Sequence, residues 1–451
     1  MSKRLLAQRL DELPVSKWHI GMMATCSMAI LFDSFDSTIV SVAIPQLTEL
    51  WGLTNVEIGL LNSGGFFGMF FGAIVFGYLS DIIGRKKIFM STLVIYSLFT
   101  LACAVAQSFQ QLLIFRILVG FGIGGLVPVV STYLSEFTPA KNRGKFLSYL
   151  NGFFQLGLGF AYLVGMLIVV PYGWQYGFLI GTLPAIIVVL VQKVLPESTR
   201  FLLLKGRFQE AIKIVENIEM GIFKKKTVET DEALAIEKAN AESLPKVPLS
   251  TLFKGKVLKS TINVAVLQFA LNFSTYAVVM WLPVLLTKEL GYDLASGFAF
   301  LTIAAFIGAL GQLSAGIAAD KLGRKVTLTY SFLGYAICAY LLFFTSLGTV
   351  ALLLMWICLG SCWGSTYAYS PENFPTAVRS TGLGFAGSIG RLGGIFGPTA
   401  VGIIYATSGI EMILHVNAFF LVIAVICIIF LGTETKAKSL EQIEQGITKP
   451  A

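Results

Sequence analysis

Four charged side chains lie inside long apolar segments of the chain: Asp33, Asp36, Arg116 and Arg391. A charge near the centre of a bilayer costs roughly 2.5 to 3.5 kcal/mol, so such residues usually face a cavity or a partner. Asp33 and Asp36 are three residues apart and therefore share one helix face. Neighbouring carboxylates cannot both ionise cheaply in an apolar site, so one is expected to carry a proton. The alternative is a static ion pair between helices.

The two arginines differ in their sequence surroundings. Arg116 is long enough to reach Asp36, and this pairing would keep the carboxylate ionised until a proton or substrate displaces it. A structural ion pair in every state is the alternative. Arg391 has no acidic residue one turn away. A guanidinium binds a carboxylate through two parallel hydrogen bonds, so Arg391 is predicted to anchor an anionic substrate, with pairing to Asp33 or Asp36 as the alternative.

Further polar and aromatic residues within apolar segments are candidates for substrate contact. They are Gln155, Gln268, Asn272, Tyr276, Trp363 and Tyr367. Gln268, Asn272 and Tyr276 are spaced four residues apart and are predicted to form one polar stripe. Interhelical hydrogen bonding explains such polar residues about as well, and aromatic residues in membrane helices more often pack or anchor at interfaces.

The elements that position these residues are membrane helices. The chain has 451 residues, 55% of them hydrophobic and only 13% charged, with a mean hydropathy of +0.78. A soluble enzyme of this length would lack the polar residues to cover its surface. The fold class is therefore an all-α polytopic membrane protein, whose lipid partner is the bilayer.

The net charge of +8 does not indicate a nucleic-acid partner, because the basic residues lie in short loops between apolar segments. The six cysteines lie inside apolar segments without the spacing of metal ligands, and the chain has only two histidines. Neither a metal ion nor a cofactor is expected.

The apolar runs predict twelve spans of about 20 residues. They divide the chain into an N-terminal segment 1–17, a six-helix bundle 18–195, a linker with short helices 196–258, a second six-helix bundle 259–432 and a tail 433–451. Of the 33 basic residues, 30 fall on one side of the spans or in the termini. The positive-inside rule predicts a cell-membrane protein with both termini in the cytoplasm.

Two motifs recur in matching loops of the two halves. GxxxDxxGRK begins at Gly77 and again at Gly316, a shift of 239, and ExxPxxxR begins at Glu136 and again at Glu372, a shift of 236. Their charged residues are predicted to hold one side of the bundle shut through contacts with helix ends or with the opposing half. The predicted gating residues are Asp81, Arg85, Glu136 and Arg143, with Asp320, Arg324, Glu372 and Arg379.

The repeated GxxxDxxGRK motif resembles the signature of the major facilitator superfamily of transporters, over about the whole chain. The sequence Pro196-Glu197-Ser198-Thr199-Arg200 is similar to the PESxR signature of sugar porters and organic-ion transporters. The glycine-rich stretch from Arg116 to Gly125, Ser135-Glu136-Phe137 and the paired aspartates are most similar to the aromatic acid:proton symporters and niacin-type metabolite carriers. The resemblance implies two pseudo-symmetric six-helix bundles with alternating access.

The predicted function is secondary active transport. The predicted substrate is a small organic carboxylate, which could be aromatic, taken up together with protons. The protein is expected to act as a monomer. The alternatives are a proton-coupled symporter of a sugar or another metabolite, and a cation or drug efflux antiporter, because the central aspartates could attract a cation. An enzyme is not expected, since HExxH and GxSxG are absent, and the absence of GxxxxGK[ST] argues against a pump driven by ATP.

Overall fold

The computed structural model describes residues 6–223, 249–375 and 378–436, and every regular element in these ranges is helical. The helices up to the end of the sixth span are Leu6–Asp11, Lys17–Trp51, Asn55–Ile83, Arg85–Ala104, Phe109–Gly124, Leu126–Phe137, Arg143–Val164, Val170–Tyr172, Trp174–Gly181 and Pro184–Val194, with a 3-10 turn Ala140–Asn142 and a π-turn Gly165–Val169. Then follow Thr199–Leu204, Phe208–Phe223, a 3-10 turn Leu249–Phe253, Gly255–Val279, Leu282–Lys288, Leu294–Leu322, Arg324–Phe344, Gly348–Glu372 and Arg379–Phe430.

Eleven helices in the described ranges are long and apolar enough to cross a membrane. The last of them, Arg379–Phe430, has 52 residues, and Gly409 interrupts it with non-helical angles of φ 72° and ψ −170°. At about 1.5 Å per residue, a continuous helix would be about 78 Å long against a bilayer core of about 30 Å. The chain therefore turns at Gly409, which separates spans 11 and 12, and the predicted twelve-span fold is confirmed.

Spans 1 and 7 occupy the centre of the bundle. Of the most apolar part of span 1, Lys17–Trp51, 89% is buried, and for span 7, Val257–Val279, the share is 72%. Of the most apolar part of span 2, Asn55–Ile83, only 28% is buried, so this part mostly faces outward. Because span 1 is surrounded by protein, its aspartates are kept away from the lipid.

Small residues let neighbouring spans come into backbone contact. A Cβ atom at Gly120 in span 4 would lie 1.9 Å from the carbonyl oxygen of Gly65 in span 2. The other half repeats this arrangement, since a Cβ at Gly360 in span 10 would lie 1.9 Å from the carbonyl oxygen of Gly308 in span 8. No larger residue fits these crossings, so the glycines fix how closely the helices pack.

The two halves meet toward one end of the bundle. We call the end at which Lys17, Arg85 and Arg324 begin their spans the basic face, and the other end the opposite face. Toward the opposite face, Ser63 Oγ lies 2.7 Å from Thr399 Oγ1, and Tyr162 donates a hydrogen bond to the Val279 carbonyl at 3.2 Å.

Toward the basic face, several positions of spans 5 and 11 lie in open space. Gly152 in span 5 and Gly384 and Gly387 in span 11 have no atom within 4 Å of where a Cβ would lie. Tyr149, which begins span 5, is 51% exposed. The halves are therefore in contact toward the opposite face, whereas these positions of spans 5 and 11 toward the basic face are open.

Candidate functional site

Asp36 forms a closed ion pair inside the N-terminal half. Its Oδ2 lies 2.6 Å from Nη1 of Arg116, and the two side chains are 1% and 2% exposed. The hydroxyl of Thr100 donates a longer hydrogen bond, of 3.5 Å, to the other carboxylate oxygen. The contact expected between Arg116 and Asp36 is therefore present. Its part in proton coupling stays a prediction.

Asp33 lies one turn earlier on span 1 and has a different environment. The residue is 3% exposed, and its Oδ1 is buried without a hydrogen-bond partner among the described residues. Burying an ionised carboxylate here costs desolvation free energy that no hydrogen bond to this oxygen offsets. The cost is much smaller for a protonated carboxyl group. The geometry thus distinguishes two aspartates that the sequence treats alike.

Arg391 approaches Asp33 from the other half of the molecule. The charges of the two side chains act on each other, but Arg391 makes no hydrogen bond or ion pair with any side chain that the structure describes. Arg391 is only partly buried, at the centre of span 11. A guanidinium in this setting keeps its five N–H donors available for a ligand.

Aromatic rings surround this pair of charges. Tyr276 and Tyr367 are within electrostatic range of both Asp33 and Arg391. The ring of Phe66 lies 4.2 Å from that of Tyr276, and Tyr367 stacks on Trp363 at 5.6 Å with an interplanar angle of 29°. Tyr367 is 44% exposed although it lies within a span, so it presents its ring to the cavity.

The remaining candidates take different positions. Gln268 and Asn272 lie against span 11, where a Cβ at Gly390 would be 2.9 Å from Asn272 Nδ2. Asn272 donates its amide to the Gln268 carbonyl at 2.8 Å, so part of the predicted polar stripe bonds to its own helix. Gln155 is 2% exposed and donates to the Ala305 carbonyl at 3.5 Å across the seam between the halves. Its contact joins spans 5 and 8.

The repeated motifs form a charge network on the basic face of the N-terminal half. Arg85 pairs with Glu136, which also accepts a hydrogen bond from the hydroxyl of Ser198 at 2.5 Å. The carboxylate of Glu197 accepts the backbone amide of Lys86 at 3.0 Å and thereby caps the start of span 3. This network joins the ends of spans 3, 4 and 6.

The C-terminal half contains the same network. Arg324 lies 3.4 Å from a carboxylate oxygen of Glu372, and Thr435 donates its hydroxyl to that oxygen. Glu434 accepts the backbone amides of Arg324 at 2.9 Å and Lys325 at 3.1 Å. Burial would raise the pKa of Glu434, but the hydrogen bonds from these amides and from Lys436 and Thr435 outweigh it and hold the pKa below its usual value.

Glu197 and Glu434 were not among the predicted gating residues, although a sequence signal for them exists. Residues 196–199 read Pro-Glu-Ser-Thr, and the tail contains Thr433-Glu434-Thr435 at a shift of 237, close to the shift of the other two motifs. Both carboxylates sit beside a glycine of positive φ, Gly84 at 114° and Gly323 at 105°. These glycines permit the tight turn that exposes the amides at the start of spans 3 and 9.

Asp81 and Asp320 were predicted to contact helix ends or the opposing half. A contact with the opposing half is not among the interactions described for these residues. Asp320 pairs at 2.8 Å with Arg324 of its own half, and Asp81 acts electrostatically on Arg85 of its own half. Their closing role therefore stays a prediction. Arg379 begins span 11, and the side chain of Arg143 lies outside the described residues.

Comparison with known proteins gives concordant results. The family model "Sugar (and other) transporter" matches residues 15–446. The chain is 36% identical over 444 residues to the niacin transporter of Acinetobacter baylyi, covering 97% of the chain and 99% of the relative. It is 30% identical over 405 residues to the benzoate transport protein of the same species, covering 88% and 85%. The fold matches the partially occluded inward open xylose transporter of E. coli with a TM-score of 0.77 at 18% identity, covering 94% and 100%.

Proposed function

Because the chain belongs to the sugar (and other) transporter family of the major facilitator superfamily, we propose that it takes up a small aromatic carboxylate together with protons. It is a multi-pass membrane transporter of small molecules and not an enzyme. The observation that supports this substrate class best is Arg391, a cation without a direct partner among the described residues, set among Tyr276 and Tyr367.

The substrate's carboxylate binds Arg391 through two parallel N–H donors. Its ring lies against Tyr276 and Tyr367, where offset or edge contacts between aromatic rings contribute about 0.5 to 1.5 kcal/mol beyond the area they bury. The two relatives fit this arrangement, because niacin and benzoate, which their names specify, are both single aromatic rings bearing one carboxylate.

Proton coupling follows from the charge balance of the cavity. Burial opposes ionisation of Asp33, and Arg391, across the seam between the halves, is the charge that favours it when no substrate is bound. A substrate carboxylate at Arg391 would add a second anion to a site of low dielectric constant, so binding favours protonation of Asp33. One proton and one carboxylate thus enter together and leave the net charge unchanged.

The pair of Asp36 and Arg116 keeps its charges in this scheme. It is closed within one half and is already neutral overall, so it needs no proton from the substrate cycle. We assign it to the support of span 1, on which Asp33 is presented. The two six-helix bundles then rock about the midplane site, and the charge networks of the basic face close that side in the outward-facing state.

We further propose that the protein acts as a monomer in the plasma membrane. The basic face would be cytoplasmic, because 30 of the 33 lysines and arginines lie on that side or in the termini. Both termini are then cytoplasmic, and the cavity opens inward. Fusion of a reporter that is active only in the cytoplasm to either terminus tests this orientation.

Binding to the purified protein tests the substrate class. Nicotinate and nicotinamide share one ring and differ in the charge of the substituent, so their affinities isolate the carboxylate contact. A charge-assisted contact contributes about 1.5 to 3 kcal/mol, and nicotinate should bind about tenfold more tightly or better. Benzoate should bind in competition with it. Equal affinity for nicotinamide, or binding of xylose with no response to either acid, would contradict the proposal.

A further inference from the structure

A second cavity lies at the basic face, away from the central site. The start of span 1, the end of span 6 and helix Phe208–Phe223 enclose a groove of about 670 Å³. Its lining residues are Ser16, Lys17, Trp18, Lys86, Gln192, Lys193, Val194, Leu195, Pro196, Ile214, Asn217, Ile218, Gly221 and Ile222. The transport cycle described above makes no use of this groove.

The charge of the groove is positive. Lys17, Lys86 and Lys193 line it, and the lining set contains no carboxylate. Lys86 donates its ammonium to the Gln192 carbonyl at 2.9 Å, while Lys17 and Lys193 are exposed. Two ammonium groups that are open to a ligand, at the end of a membrane bundle, are suited to a phosphate.

The groove is also amphipathic. Trp18, Ile214 and Ile222 form part of its wall. Ile20, three residues after Lys17 and on the same face of span 1, is 54% exposed, and Leu190, three residues before Lys193 on span 6, is 42% exposed. Apolar surface therefore continues from the two lysines along the spans toward the bilayer centre. A free anion would not need this surface, whereas the acyl chains of a lipid would cover it.

We propose that this groove binds an anionic phospholipid. The phosphate lies between Lys17 and Lys193, and the acyl chains follow the exposed faces of spans 1 and 6. The groove's third wall, helix Phe208–Phe223, is held to the N-terminal helix Leu6–Asp11 through Glu219, which forms a buried ion pair with Arg9 at 2.6 Å. The lipid would therefore join the segment after span 6 to the start of span 1.

Native mass spectrometry of the purified full-length protein tests the proposal with phosphatidylglycerol, phosphatidylcholine and glycerol 3-phosphate as probes. The test variant is Lys17→Gln/Lys193→Gln. Its matched control is Lys141→Gln/Lys213→Gln, which removes two exposed lysines outside the groove. Lys17→Arg/Lys193→Arg keeps the charge and checks that loss of binding does not come from misfolding.

Phosphatidylglycerol should bind the wild type, the arginine variant and the control, and should bind the test variant about 30-fold more weakly, given about fivefold for each lysine removed. Unchanged binding by the test variant, or equal loss in test and control, would overturn the site. Equal binding of phosphatidylcholine would overturn the anionic preference. Equal binding of glycerol 3-phosphate would show that the groove is a site for a soluble anion, and would overturn the proposal that it binds a lipid.

Discussion

Asp33 and Arg391 act on each other's charge across the seam between the two halves without forming a direct ion pair. Asp36 and Arg116, by contrast, are in contact at 2.6 Å within one half. In the proposed cycle, rocking of the bundles would change the first relationship and leave the second intact. We therefore expect the two aspartate–arginine pairs to respond differently to substitution.

Substitution of Arg391 should weaken binding of the acid without unfolding the protein. Arg391→Lys keeps the charge but loses the planar two-point contact, so nicotinate affinity should fall by about 1.5 to 3 kcal/mol. Arg391→Ala should abolish nicotinate binding. Because Arg391 has no direct partner among the described residues, and Asp33 can take up a proton when this cation is removed, the melting temperature without ligand should change little. Isothermal titration and thermal melting on the same samples measure both quantities.

A structural role for Arg391 gives the reverse pattern. If the arginine balances Asp33 in every state, Arg391→Ala leaves a buried carboxylate uncompensated and lowers the melting temperature sharply. Retained nicotinate affinity in Arg391→Ala would contradict the anion anchor and favour a cation or drug antiporter. Gln110→Ala, an exposed position at the start of span 4, serves as a control for handling of the samples.

Asp33→Asn should separate exchange from accumulation. The neutral amide of asparagine mimics protonated Asp33 and cannot release a proton, so nicotinate should still bind and exchange. Accumulation driven by a proton gradient should be lost in proteoliposomes, while counterflow of labelled nicotinate continues. Normal accumulation by Asp33→Asn would show that another group carries the proton, and Asp36 would be the next candidate.

Asp36→Asn should act mainly on stability. The substitution leaves the guanidinium of Arg116 buried without its counter-charge, which costs about 3 to 5 kcal/mol. The double variant Asp36→Leu/Arg116→Met replaces the pair with apolar side chains and should recover most of that loss. Chemical denaturation in detergent measures the cycle. If the double variant is as unstable as the sum of the single variants, the pair is not an energetic unit.

Glu434→Gln should lower stability in a pH-dependent way. The carboxylate's hydrogen bonds to the amides of Arg324 and Lys325 are charge-assisted and contribute about 1.5 kcal/mol at neutral pH. Because the pKa of Glu434 is lowered in the folded protein, this contribution is present above the carboxyl's ordinary range and is lost as the pH falls through the lowered value. The wild type and Glu434→Gln should therefore converge in acid. A difference that is constant with pH would contradict this origin.

The sequence predicted the fold and the positions of the central charges because both depend on chemistry that is visible in one dimension. Long apolar runs specify spans, and a charge within a run has to face the interior. The reach of Arg116 to Asp36 was also accessible, since both lie in the same half. The repeat at a shift of 237 that relates Glu197 to Glu434 is also visible in the sequence. It is weak, because the tail preserves the short Pro-Glu-Ser-Thr motif only in part.

The differences between similar residues could not be predicted from the sequence. Asp33 and Asp36 share a helix face. Only the packing of spans 3 and 4 against span 1 determines that Asp36 accepts the hydrogen bonds from Thr100 and Arg116. Gln155 lies in the seam between spans 5 and 8 because the halves are closed at the opposite face. Such contacts depend on the conformation of the two bundles, which apolar periodicity does not encode.

Uptake of labelled nicotinate by proteoliposomes under an imposed proton gradient tests whether the protein couples entry of the acid to entry of protons. With a dye that reports internal pH, the same vesicles show whether protons enter with the acid. Proton-coupled uptake predicts accumulation above the equilibrium level when the outside is more acidic, internal acidification that depends on nicotinate, and loss of accumulation with a protonophore or in Asp33→Asn. Accumulation that ignores the gradient and the protonophore, with no movement of protons, would contradict it.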